Sequence, residues 1–130
     1  NACRKRIGLC PQANALFDRL TVDEHLWFIH GLKGAAGSYK TEADQLLSQL
    51  KLDEKSDTVS IGSFYSNGSG LICLFQLAMN LSGGQKRKLC VSMAVIGGSP
   101  VVLLDEPTAG MDPGARRDVE SLLESIKVDR

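Results

Sequence analysis

The stretch LSGGQKRKLCVSMAVIGGSPVVLLDEPTAGMD, residues 81–112, decides the fold. Val101, Val102, Leu103 and Leu104 form a continuous apolar run, as in strands buried on both faces of a parallel sheet. The run ends in Asp105 and Glu106, at the carboxyl edge where open α/β sheets bind ligands. A carboxylate there can hold Mg²⁺, usually through water because the small ion keeps part of its hydration shell, and an adjacent one can orient or deprotonate an attacking water. Upstream, Leu89, Met93 and Ile96 mark one face of a helix over residues 85–96, stopped by Gly97, Gly98 and Pro100. Ser82 can cap that helix, and Gly83 and Gly84 leave backbone N–H groups open to close approach. A helix N-terminus carries roughly half a positive charge and several unpaired donors, so the segment suits a phosphate. The basic run Lys86, Arg87 and Lys88 reads as a solvated helix face, with a phosphate-facing role as the alternative.

Beyond this stretch, Asp112 followed by Pro113 starts another helix, with Val119, Leu122, Leu123 and Ile126 as its buried stripe. Near the other end, Ile7 to Cys10 reads as a short strand that Pro11 ends and from which Gln12 opens a loop. Thr21 with Glu24 forms a capping box, and Val22, Leu26 and Ile29 repeat at helical spacing until Gly31 and Gly34. Ala43, Leu46, Leu47 and Leu50 line a second helix. His25 and His30 fall on or near the first helix, where exposed or partly packed positions are expected. Strand, several helices, strand, helix is the order of an α/β core with a helical insertion.

The 130 residues suffice for one domain at most, and 43% hydrophobic with 23% charged residues is ordinary globular composition. Fifteen Lys and Arg balance fifteen Asp and Glu, so no long-range field recruits nucleic acid. Cys3, Cys10, Cys73 and Cys90 form no CxxC pair and have no metal-type spacing, as expected of reduced thiols in a cytosolic setting. The apolar stretch Leu71 to Phe75 is far below the roughly 18 residues of a membrane-spanning helix.

LSGGQ, the helix behind it, VVLLDEP and the acidic turn AGMD, in that order, resemble the ATP-binding cassette (ABC) ATPases. IGLCPQANALFDRLTVDEHLWF, GLKG and LSGGQKRKL with IGGSPVVLLDEPTAGMDPGARR further resemble the eukaryotic subfamily A transporters, mostly lipid exporters or flippases. The resemblance implies a partial P-loop NTPase (RecA-like) α/β core with an inserted helical subdomain. It divides the chain into residues 1–12, a core strand and the start of the Q-loop, 13–98, the helical subdomain and signature helix, and 99–130, the Walker B strand, D-loop and following helix. On this resemblance Glu106 is the general base and Gln12 the Q-loop glutamine that touches Mg²⁺ or the attacking water. Asp105 anchors the metal, and Asp112 couples two sites across a dimer. Ser82, Gly83, Gly84 and Gln85 would meet the ATP of a second nucleotide-binding domain in trans. The implied cofactors are ATP and Mg²⁺. The implied partners are that second domain, the transmembrane domains of the same transporter and, through them, a lipid; the implied location is the cytoplasmic face of a membrane. No GxxxxGK[ST] phosphate loop occurs and no histidine follows the acidic turn, so the chain reads as part of such a domain, expected to be inactive alone. A soluble ABC-type ATPase is the alternative.

Residues 61–78 interrupt this resemblance. Without them the sequence reads KSDTVSMNLSGGQ, like an uninterrupted family member. They are read as an insertion, either a lineage-specific loop or translated intron, and the second case admits an inactive, incomplete gene product.

Overall fold

The computed structural model describes residues 6–52 and 76–127. Cys3, Cys73 and residues 61–75 of the suspected insertion lie outside these. Strand β1 (Ile7–Cys10) is followed by helices α1 (Val22–Lys33) and α2 (Tyr39–Gln49), a 3-10 turn (Ala78–Asn80), helix α3 (Gly83–Val95), strand β2 (Val101–Leu104) and helix α4 (Pro113–Lys127). The strands pair in parallel, with Ile7 opposite Val101 and Cys10 opposite Leu104.

Helix α3 is the hub. Residues 87–92, Ala94 and Val95 are all buried, because β1, β2, α1, α2 and α4 surround the helix. It lies so close to the sheet that a Cβ on Gly8 would stand 1.8 Å from the Ala94 carbonyl oxygen. Only glycine permits that approach. Leu89, Val91, Ala94 and Ile96 then share one core with Val22 and Leu26 of α1, Ala43, Leu46 and Leu47 of α2, and Val119 and Leu122 of α4.

Helix α1 begins at the expected capping box, Thr21 Oγ1 accepting from the Glu24 N–H at 3.2 Å and Glu24 accepting from the Thr21 N–H at 2.7 Å. It runs through Gly31 and stops at Gly34, whose left-handed φ of 63° closes the C-terminus. The Lys33 ammonium beside that cap donates to the Met93, Ala94 and Ile96 carbonyls at 3.1, 2.8 and 2.6 Å, covering the C-terminal end of α3. The Gly97 N–H just beyond donates to Glu42 of α2 at 2.9 Å.

Two expectations are corrected. The strands are covered on one face only: Cys10 is buried against α3, while Leu9 and Leu103 on the opposite face are 62% and 53% exposed. No described element lies over that face, so the both-sided burial read from VVLL is not completed within these residues. His25 and His30 are buried rather than exposed or partly packed. The Phe17 N–H donates to His25 Nε2 at 2.9 Å, which leaves Nδ1 as the protonated nitrogen, 2.7 Å from the Thr21 carbonyl. The residue pins the loop before α1 onto its first turn.

Residues 76–78, the end of the suspected insertion, are built into the fold. Leu77 bridges Thr21 in antiparallel fashion, and the Ala78 N–H donates to the Leu20 carbonyl at 2.9 Å.

Candidate functional site

The parallel register determines which loops meet. Cys10 pairs with Leu104, and the Asp105 N–H donates to the Cys10 carbonyl at 2.9 Å, extending the ladder by one bond. Gln12 and Glu106 each lie two residues past their strand, so equal offsets on neighbouring strands bring them side by side. Gln12 Nε2 donates to Glu106 Oε2 at 3.2 Å across 94 residues of sequence. Both side chains are exposed, as is Asp105 beside them. Glu106 has a φ of 46°, in the left-handed region that non-glycine residues seldom adopt.

Behind these loops stands Arg87, 3% exposed. It is not on a solvated face: that reading is corrected for Arg87 and Lys88, whereas Lys86 is half-buried. Its Nη1 donates to the Gln12 carbonyl at 3.0 Å and to that of Pro11. Nη2 donates to the Glu106 carbonyl at 2.7 Å and to that of Asp105, and Nε to that of Pro107 at 3.3 Å. A guanidinium has five N–H donors, and here five backbone carbonyls receive them. Lys88 is buried too, donating to the Leu50 carbonyl at 2.6 Å and pairing with Asp118 at 3.0 Å. Burial raises the cost of ionising Asp118, but Lys88 and Lys51 outweigh it and hold the carboxyl below its usual range. The physical reason for the correction is that α3 is enclosed from Arg87 onward, so Arg87 and Lys88 must reach carbonyls or a carboxylate.

At the start of α3, the Ser82 and Gln85 side chains close a capping box: the Gln85 N–H donates to Ser82 Oγ at 3.2 Å, and the Ser82 N–H to Gln85 Oε1 at 2.9 Å. A Cβ on Gly83 or Gly84 would meet nothing within 4 Å, so this N-terminus is open to a group approaching from outside. Asp112 caps α4, accepting the Gly114 and Ala115 N–H groups at 3.0 Å each. Chiefly the Ala115 bond holds its carboxyl below the ordinary range. Among the described residues, Gln12, Asp105 and Glu106 form one group, whereas no hydrogen bond joins Ser82 to Gln85, or Asp112, to that group.

The sequence reading missed Arg87 as part of this site. The available signal was the apolar run just beyond it: Leu89, Cys90 and Val91 follow Lys88 and leave the helix no broad polar face.

Residues 1–109 match the family described as ABC transporter. Over 128 residues, 98% of the chain, the sequence is 52% identical to ABC transporter ced-7 of Caenorhabditis elegans, of which it covers 6%. It is 45% identical over 123 residues, 94% of the chain, to human Phospholipid-transporting ATPase ABCA7, of which it covers 5%. Among solved structures, one described as the ATP binding subunit of an ABC transporter superposes with a TM-score of 0.76 at 22% identity, over 97% of this chain and 45% of that one. A bacterial ABC transporter cassette in dimeric form gives 0.71 at 22%, over 98% and 50%. At that identity the structures speak for the fold alone, that of an ATP-binding cassette. The family match and the sequence relatives together place this chain in the ABC transporter family.

Proposed function

We propose that the chain is part of an ATP-hydrolysing domain of a lipid-translocating membrane transporter, lying on the cytoplasmic side. The observation that carries the reading is the Gln12–Glu106 contact at the carboxyl edge of the sheet. A carboxylate positioned by a fixed amide suits alignment of water against a phosphoryl group, where positioning and charge stabilisation do most of the catalytic work. Glu106 orients the water and accepts its proton; Gln12 holds Glu106. The exposed Asp105 carboxylate and the Gln12 amide oxygen are hard donors, few in number, the set Mg²⁺ takes when phosphates complete its shell. The ion, bound there with ATP, would neutralise phosphate charge.

Ser82, Gly83 and Gly84 present a capped, sterically open helix N-terminus to the ATP of a second domain, with Gln85 fixing the Ser82 backbone, and Asp112 lies at the coupling turn. The relatives carry the lipid part of the reading, since one is named a phospholipid-transporting ATPase. No described helix is long and apolar enough to cross a membrane. Residues 61–78 remain, on this reading, an insertion ahead of the signature.

In the whole protein, Glu106→Gln is expected to abolish steady-state ATP hydrolysis while nucleotide binding persists. Unchanged turnover would remove Glu106 from the base role.

A further inference from the structure

We propose that Arg87 is a positioning residue for hydrolysis, setting the Gln12–Glu106 pair from behind through the backbone of both loops. This rests on the functional reading above and adds to it a residue in contact with neither reacting group. One guanidinium grips two carbonyls of the β1 loop, Pro11 and Gln12, and three of the β2 loop, Asp105, Glu106 and Pro107. No other described hydrogen bond between side chain and backbone ties those loops together, and the Gln12–Glu106 bond sits on the solvent side of the clamp.

The backbone at Glu106 carries the same message. Three successive carbonyls converge on one cation only if the chain turns sharply, and the turn places Glu106 at a φ of 46°. A non-glycine residue holds such a conformation only where its surroundings over-determine it, and the Arg87 bonds to residues 105, 106 and 107 are those surroundings. Among the described residues no carboxylate forms an ion pair with Arg87, so its charge is met by carbonyl dipoles. The planar fork matters as much as the charge. An ammonium has three donors in a compact cone and cannot span both loops.

Arg87 lies two residues beyond Gln85 on α3, so a displacement of the helix N-terminus has a short rigid path to Glu106. A group arriving at Ser82 and a misplaced Glu106 are thereby connected through one side chain.

The test uses the whole protein with Arg87→Lys, Arg87→Met and, as a control for burial on the same helix, Lys88→Met. Measurements are ATP affinity by equilibrium binding, kcat at saturating ATP, and thermal stability. Since misplacement by an ångström can slow a reaction by about a hundredfold, Arg87→Lys should lower kcat at least about tenfold with ATP affinity within about threefold of wild type. Lys88→Met should leave kcat unchanged at a comparable loss of stability. Adding Gln12→Ala to Arg87→Lys should lower kcat little further, because both act through Glu106. Full additivity, equal kcat losses in Arg87→Lys and Lys88→Met, or failure of both Arg87 variants to fold while Lys88→Met folds would overturn the proposal and leave Arg87 a structural residue. ATP turnover by the wild type and its loss in Glu106→Gln test the underlying reading separately.

Discussion

Replacing Gly8 with alanine adds one methyl group where the structure has no room for it. The new Cβ would lie 1.8 Å from the Ala94 oxygen and 2.7 Å from its carbonyl carbon, both backbone atoms of α3. Ordinary contact begins at 3.4 Å, so helix and strand must part by about 1.6 Å. A gap of 0.5–1 Å already forfeits roughly a quarter to a half of each dispersion well. Helix α3 packs on β1, and buried residues at this end of it, such as Val91, Ala94 and Val95, would lose contacts as the two part. If two or three such residues each lose about half of the roughly 1.5–3 kcal/mol that full burial supplies, the loss is about 2–4 kcal/mol. Overpacking adds about 1–3 kcal/mol. The expected destabilisation is therefore about 3–7 kcal/mol, a large share of the roughly 5–15 kcal/mol available to a domain. The assay is equilibrium urea unfolding followed by far-ultraviolet circular dichroism, with Gly31→Ala as the matched control. Gly31 lies inside α1 with nothing within 4 Å of an added Cβ, so the same substitution there should stabilise by about 0.5–1 kcal/mol. A Gly8→Ala midpoint within about 1 kcal/mol of wild type would refute the close packing of α3 on β1.

Three further outcomes follow from the packing. Lys33→Met withdraws a cation from three carbonyls at the end of α3 and should cost about 2 kcal/mol by urea unfolding, mostly through undersatisfied carbonyls. Burial pushes the Cys90 thiol up to about 11; at pH 8 it should hold about a hundredfold less thiolate than an ordinary cysteine and react correspondingly slowly with a disulfide reagent in peptide-mapped labelling. Its protonated form contributes stability that is full below the ordinary thiol range and is lost as pH rises from there toward 11. Asp118 has a depressed folded-state value, so its contribution is present above the ordinary aspartate range and is lost as pH falls below it. Asp118→Asn should flatten that acid limb in unfolding measured across pH, and an unaltered limb would show that the Lys88 and Lys51 contacts contribute nothing.

Local chemistry made much of the fold legible. Thr21 with Glu24, Ser82, and Asp112 before Pro113 mark helix starts because capping is a contact over two or three residues. VVLLDE revealed a strand delivering carboxylates to a sheet edge, since an apolar run and the acids after it are adjacent in the chain. The destination of Arg87 was not legible: its acceptors lie about twenty residues ahead and seventy-five behind, and no periodicity records such distances. The same limit applied to His25, whose burial comes from a loop folding back onto α1. The family resemblance put Gln12 and Glu106 in one site but not in contact; their pairing, from equal offsets in a parallel register, required the strands to be placed side by side.

The pairing of β1 with β2 also has a consequence for the order in which the molecule can assemble during synthesis. Ile7 must wait for Val101, and at about 5–20 residues per second that is on the order of 5–20 s after the first strand is made. Helix α3 is complete several residues before β2 begins, and Gly8 gives β1 a seat on it. One face of β1 can therefore be covered by a helix before β2 exists, so α3 would keep Cys10 and the Gly8 surface from water in the nascent chain while the ladder to β2 is still unmade.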